Sequence, residues 1–291
     1  MTRILVHEWV SAGALADEPA LAVELMPMGA AMRAALAADF AALPGVQLSV
    51  AACADAPWSG PAAALQAAPG EAPLAALARW AAQHDAVCAV APESDGLLLA
   101  AHAAVAPHAR WLGCAPAAIS LATSKSRTLA ALHAAGIATP LRADVSAAAS
   151  HVVRKPDDGA GSVATQRLAE RPAPAPGFTI EPWVEGVPMS LGLWVTAGRA
   201  ELLAVNAQQI ELAGDGQVHY LGLAAAPLDA HLAPLAQAVA DAMPGLAGYV
   251  GVDYVASPAF GPVVIEVNPR VTCGYVGLSA RLGHNLAGRW L

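Results

Sequence analysis

The sequence predicts an α/β N-terminal domain followed by an α+β unit, on three observations. Short apolar runs alternate with alanine-rich segments through roughly the first third of the chain. The texture changes at His151, where glycine loops and paired strand signals take over. Two closely spaced apolar strands near the C-terminus then carry acidic residues on one face.

The first domain is read from apolar runs at residues 4–6, 46–50, 86–91 and 111–113, with helical spacing over 29–43 and 74–84 between them. Strand and helix in that alternation make the βαβ rhythm of an open parallel sheet. A helix is expected over 125–135, stopped by Gly136 with Pro140 beyond it. After it, HVVRKP reads as a strand, DDGAGS as a tight glycine loop and SVATQRL as a returning strand. RPAPAPG is a stiff connector to the strand FTIEPWV. A hairpin turns at Ala197 and Gly198, a helix covers 230–243, and GYVGVDYV and PVVIEVNP form a second hairpin around residues 257–261. The expected division is 1–115 and 116–291, with a mobile glycine-loop lid at about 140–182.

Composition excludes several classes. Hydrophobic residues make up 56% of the 291, but much of this is alanine, and no run of about 18–20 strongly apolar residues lacks a polar break. The nearest, 97–106, is interrupted by His102 and ended by Pro107. MTRILVHEWV enters a strand pattern at once, with no charged leader and no cleavage signal, so the cytoplasm is the expected location and no membrane is implied. A net charge of −8 without a basic run argues against nucleic acid, whose phosphates demand clustered cations. The four cysteines are scattered without a CxxC pair and read as buried free thiols, and the nine histidines form no metal motif.

Of 15 cationic residues only two are lysines, Lys125 and Lys155. A chain that otherwise uses arginine points to an ammonium at these places, and a compact point charge suits a tight phosphate pocket better than a planar fork.

Glu266 and Asn268 lie two apart on a strand and so share a face, and the hairpin brings Asp253 beside Glu266. Opposed carboxylates repel unless a cation separates them, and such oxygen donors suit magnesium together with substrate phosphates. The plainer alternative is an exposed acidic sheet edge, which the apolar flanks disfavour. Lys155 precedes DDGAGS, whose backbone N–H groups can approach phosphate oxygens. The same glycines also fit a dinucleotide fingerprint, Gly159-x-Gly161-x-x-Ala164 with Glu181 downstream, but that fingerprint requires a helix where β-branched residues and PAPAPG stand. Glu181-Pro182-Trp183-Val184-Glu185-Gly186, a strand entering a hinge, can offer its backbone to an adenine edge.

Together the segments TSK, VVRKPDDGAGS, IEPWVEG, GVDYV and VIEVNPR resemble the ATP-grasp superfamily over essentially the whole chain. The resemblance implies a pre-ATP-grasp domain, an ATP-grasp domain, ATP and Mg2+ as cofactors, and amide-bond formation through an acyl phosphate. It further implies that Lys125 and Lys155 contact ATP phosphates and that Gly161 and Ser162 belong to the flap. Glu181 and Val184 would meet adenine through their backbone, Asp253, Glu266 and Asn268 would hold magnesium, and Arg270 would stabilise the transferring phosphoryl group. Where many members carry a ribose-binding glutamate this chain has Pro188, and Glu185 is the substitute.

HEWVSAG, APESDGLL, NAQQI and VNPRVTCGYVGL are similar to segments of the tyramine–glutamate ligases of methanofuran biosynthesis. That likeness implies small-molecule partners, glutamate with tyramine or tyrosine, and leaves room for a homodimer. Glu8, Ser11, Glu93, Asp95, Asn206 and Gln208 are the candidate substrate contacts, each also readable as a cap, turn or core polar group. Trp183 and Trp194 read as core residues. The rival readings are a ligase for another amino-acid or dipeptide pair and a nucleotide-binding sensor without catalysis.

Overall fold

The computed structural model describes residues 1–15, 18–159 and 162–291. The chain forms two compact units. One comprises Met1–Pro92, Leu97–Gly113 and Arg270–Leu291, the other Glu93–Gly96 and Cys114–Pro269. The chain thus lends Glu93–Gly96 to the second unit, enters it again at Cys114 and returns to the first at Arg270.

The first unit is a parallel five-stranded sheet. Strands β1 (Thr2–Glu8), β2 (Val46–Ala51), β3 (Ala63–Leu65), β4 (Ala86–Val90) and β5 (Arg110–Trp111) lie in the order β3-β2-β1-β4-β5. β4 is buried along its whole length and Ile4, Leu5 and Val6 of β1 are fully enclosed, as expected of parallel strands covered on both faces. Helix α1 (Pro19–Ala41) buries Met32, Leu36, Ala37 and Phe40, and α2 (Pro73–Ala81) buries Leu77 and Trp80. α1 starts ten residues before the helical spacing read from the sequence, because Pro27 inside it hides the early turns from any pattern argument. Its segment Leu21–Ala41 is, among the described residues, long and apolar enough to cross a membrane by length and composition. The former apolar stretch near residue 100 is helix α3 (Leu97–Val105).

The C-terminal segment is fixed to α1. Tyr275 Oη and Ser279 Oγ both donate to Asp39 Oδ2 at 2.6 Å, Asn285 Nδ2 donates to the Asp39 carbonyl at 2.7 Å, and Trp290 stacks on Phe40 with 5.8 Å between ring centres. Of the four thiols only Cys88 and Cys114 are buried, and burial pushes each up to about 12; Cys53 and Cys273 are half-exposed, which corrects the reading of all four as buried.

The second unit opens with helices α4 (Pro116–Thr123), α5 (Lys125–Ala134) and α6 (Ala143–Ala148). Ser124 caps α5, its Oγ accepting the Arg127 N–H at 3.2 Å. A small antiparallel sheet follows, with β6 (Val152–Pro156) between β7 (Gln166–Leu168) and β8 (Phe178–Pro182). Residues 162–164 form a turn, so the returning strand is three residues long and shorter than expected. A strand, and no helix, follows the glycine segment, and the dinucleotide reading falls with it.

The larger antiparallel sheet comprises β9 (Val187–Thr196), β10 (Arg199–Leu212), β11 (Val218–Ala226), β12 (Gly248–Ser257) and β13 (Gly261–Asn268), in the order β11-β10-β9-β12-β13. β9 and β10 join through Ala197 (φ 50°) and Gly198 (φ 78°), the two left-handed residues that a tight hairpin turn demands. Helix α7 (Ala233–Ala242) packs on β9 and β10 through Ala236, Val239 and Ala240.

Register decides which residues this sheet presents. Val205, Leu191, Val252 and Val267 lie opposite one another in turn across four strands, and all are buried. The adjacent row reads Asn206, Ser190, Asp253 and Glu266, turned to the other face by the two-residue period. In β13 a bulge at Ile265 interrupts the ladder between Tyr254–Val264 and Asp253–Glu266. Continued unbroken from the turn, the ladder would set Ile265 against Asp253 and turn Glu266 toward the apolar row.

Candidate functional site

The polar row of the large sheet is the foundation of the site. Asp253 and Glu266 face each other directly across β12 and β13, and Asn268 stands two residues beyond Glu266 on the same face. Asn268 Nδ2 donates to Asp253 Oδ2 at 3.1 Å, and Gln208 Nε2 on β10 donates to Asp253 Oδ1 at 2.9 Å. Two carboxylates and a carboxamide are hard oxygen donors of the kind a magnesium ion takes.

Lys125, the first residue of α5, places a cation beside Glu266. Its Nζ lies 3.1 Å from Glu266 Oε1 and donates to the Gly159 carbonyl at 2.9 Å, with only 6% of the side chain exposed against 20% for Glu266. Burial alone lowers an ammonium's pKa, but Glu266, with Glu93 and Glu181 further away, outweighs it and holds Lys125 above its ordinary value.

Lys155 is the second. It alternates onto one face of β6 with Val153, which pairs with Glu181 on β8, so lysine and glutamate meet diagonally. Nζ lies 2.9 Å from Glu181 Oε2, with 9% and 3% of the two side chains exposed, and it donates to the carbonyl of the bulged Ile265 at 3.4 Å. The Glu181 contact is one of charge, since neither carboxylate oxygen lies in line for a hydrogen bond.

The loop after Lys155 is pinned by its two aspartates. Asp157 accepts from Ser124 Oγ at 2.7 Å and from the Ser126 N–H at 2.8 Å, while its own carbonyl accepts the Lys125 N–H at 2.7 Å. These donors and Lys125 overcome burial and hold the Asp157 carboxyl below its ordinary pKa. Asp158 Oδ2 accepts the Asp95 N–H at 2.9 Å, with Asp95 in the left-handed region at φ 53°. Sequence reading passed over Asp157 as a loop residue; the Ser124 cap one residue before Lys125 was the available signal, because a helix start needs acceptors for its free N–H groups.

The other candidates divide. Val184 is buried against Val145, Val255 and Val263, leaving its backbone as its polar part. Glu185 is exposed and its Oε1 accepts from Arg167 Nη2 at 3.1 Å. The Arg167 guanidinium also lies over Trp183, 5.3 Å from the ring centre, while Trp194 is buried and donates to Thr196 Oγ1. Glu93 is buried; Asn206 is enclosed, its Nδ2 donating to Ser190 Oγ at 3.5 Å and its Oδ1 without a hydrogen-bond partner. Ser162 lies in the turn before β7, and Gly161 lies outside the described residues.

Glu8, Ser11 and Arg270 belong to the first unit. Glu8 ends β1 buried, accepting the N–H groups of Val10 at 3.1 Å and Ser11 at 2.8 Å; burial raises its pKa against those bonds and the Arg33 charge. Its carboxylate rests against α1 at Gly29, where a Cβ would come within 2.4 Å of Oε2. Sequence reading had no signal for that fit. Arg270 Nη1 donates to the Val271 carbonyl at 3.3 Å.

Residues 122–274 match the ATP-grasp domain family and residues 46–119 the pre ATP-grasp 3 domain. Among solved structures, the chain is similar to an ATP-grasp superfamily protein from Archaeoglobus fulgidus, with TM-score 0.76, 21% identity, and 100% of this chain and 88% of that one covered. It is similar also to D-alanine–D-alanine ligase from Bacillus anthracis complexed with ATP, with TM-score 0.61, 14% identity and 100% and 96% covered. A third likeness is to L-amino acid ligase from Bacillus licheniformis, with TM-score 0.65, 15% identity and 99% and 72% covered. No curated protein matches the chain in sequence.

Proposed function

The chain belongs to the ATP-grasp family, and from that premise we propose that it is an ADP-forming carboxylate–amine ligase acting through an acyl phosphate. The observation that carries this reading is Asp253 directly opposite Glu266, with Lys125 at 3.1 Å from Glu266. Likeness to an L-amino acid ligase and a D-alanine–D-alanine ligase supports the same class of chemistry.

A carboxylate is a poor electrophile. Transfer of the γ-phosphoryl group makes it an acyl phosphate and leaves ADP; the amine then attacks the carbonyl carbon, and collapse of the tetrahedral adduct expels phosphate as the nitrogen loses a proton. Asp253, Glu266 and Asn268 would hold magnesium, whose charge would offset that of the phosphate oxygens. Lys125 and Lys155 bind phosphate, their ammonium groups already fixed by Glu266 and Glu181. Gly161 and Ser162 serve as the flap that excludes water, Glu181 and Val184 offer backbone to adenine, and Glu185 bonds the ribose. Arg270 stabilises charge on the transferring group.

On the resemblance at HEWVSAG and VNPRVTCGYVGL, the acid is glutamate and the amine tyramine or tyrosine, as in methanofuran-type cofactor synthesis in the cytoplasm. Glutamate labelled with oxygen-18 in its carboxylates is expected to pass one label to phosphate as ADP and amide form. AMP as the product would overturn the mechanism. ADP formed with other substrates and none with glutamate would remove only the substrate pair.

A further inference from the structure

Gln208, a candidate substrate contact in the sequence, donates to the carboxylate of Asp253. It sits on β10, two residues beyond Asn206 and on the same face. Asn206 lies opposite Ser190 on β9, and Ser190 lies opposite Asp253 on β12, so Gln208 and Asp253 are separated by one intervening strand. Neighbouring strands stand about 4.8 Å apart, and Gln208 Nε2 reaches diagonally across the intervening strand to Asp253 Oδ1 at 2.9 Å.

Lys125 lies beside Glu266, and Asp253 accepts from two neutral carboxamides, Gln208 at Oδ1 and Asn268 at Oδ2. A lysine or arginine at position 208 would orient Asp253 equally well but would compete with a divalent cation for its charge. A carboxamide donor fixes the orientation without bringing a positive charge of its own. Groups that orient metal ligands through hydrogen bonds are worth about 10–100-fold in metal affinity.

We propose that Gln208 is a positioning residue that orients Asp253 for the metal–nucleotide complex, and is not a substrate ligand. The inference rests on the ligase reading only for the presence of that complex. The neighbouring Gln209 provides the internal comparison, because it points to the opposite face and is exposed.

The test is the affinity of Mn2+ for the protein saturated with β,γ-imido-ATP, followed by electron paramagnetic resonance. Gln208→Leu and Gln208→Met both remove the donor, and Met keeps the length of the side chain where Leu disturbs packing. Each is expected to weaken Mn2+ binding about ten-fold or more, with nucleotide affinity in EDTA unchanged and Gln209→Leu indistinguishable from wild type. In an Asp253→Ala background Gln208→Met is expected to add nothing. Unchanged Mn2+ affinity with a raised KM for the amino-acid substrate would overturn the proposal and return Gln208 to the substrate. Independent, additive effects of the two substitutions would overturn it as well. Failure of the wild-type protein to bind Mn2+ with the nucleotide would instead remove the ATP reading.

Discussion

Lys125 and Glu266 meet at 3.1 Å although 141 residues separate them, one at the first turn of a helix and the other beside a bulge in an edge strand. The pair ties the helix start to the sheet and sets a cation against the carboxylate proposed to bind metal. Glu266→Gln is expected to abolish ADP formation while leaving the circular dichroism spectrum intact. Normal turnover in this variant would sink the metal assignment.

The two lysines are expected to resist replacement by arginine. Lys125 is enclosed between Glu266 and the Gly159 carbonyl, and Lys155 between Glu181 and the Ile265 carbonyl. A guanidinium is too broad for either gap. Lys125→Arg and Lys155→Arg are each expected to lower kcat/KM for ATP by about ten-fold or more, a loss of roughly 1.4 kcal/mol in transition-state stabilisation. Near-native steady-state kinetics in both would empty the argument.

Lys155 and Glu181 allow stability and activity to be separated. Removing one partner of so enclosed a pair strands a charge, and Glu181→Gln is expected to cost about 3–5 kcal/mol in urea unfolding. Replacing both, as Lys155→Met with Glu181→Leu, is expected to restore most of that stability and none of the activity. Equal instability of the single and double variants would contradict it.

Asp157 predicts a pH dependence of definite sign. Its carboxyl is held below the ordinary value chiefly against burial, by Ser124, Ser126 and Lys125. Its contribution to stability is therefore fully present above the unfolded pKa of about 3.9 and is lost as pH falls through the lower folded value. Asp157→Asn is expected to be less stable than wild type at pH 7, with the gap closing below about pH 4. A gap independent of pH in thermal melts would place the loss elsewhere.

His7 acts in the opposite chemical sense and in another window. It is enclosed between Trp9 and Trp80, and burial lowers its pKa from 6.5 to about 4. The unfolded chain takes up the proton first, so stability falls as pH drops from about 6.5 toward 4, by roughly 3 kcal/mol in total. His7→Phe is expected to flatten that limb of the urea midpoint against pH, and an unchanged limb would count against it.

What was legible in the sequence was what short-range chemistry fixes. Ala197 and Gly198 announce a hairpin because few residues accept two successive left-handed conformations, and Glu266 and Asn268 share a face by strand period alone. β11 was not read, because VHYLGLAAA has no alternation and contains a glycine. Gln208 on Asp253, Asp157 on the α5 start and Glu8 against Gly29 are long-range fits. No local pattern encodes which strand lies beside which, so these had to await the fold.

The bulge at Ile265 makes the length of an outwardly ordinary surface turn a heritable constraint. Loop tips commonly accept insertions and deletions, because little packing depends on them. Here the turn between Ser257 and Gly261 and the extra residue in β13 jointly set the phase of every side chain that follows. A single codon gained or lost in that turn would leave a hairpin that still folds, with Glu266 and Asn268 aimed into the apolar layer. Lineages carrying this sheet are therefore expected to alter the turn and the bulge together, as one unit of inheritance, and to vary freely in the residues at the tip.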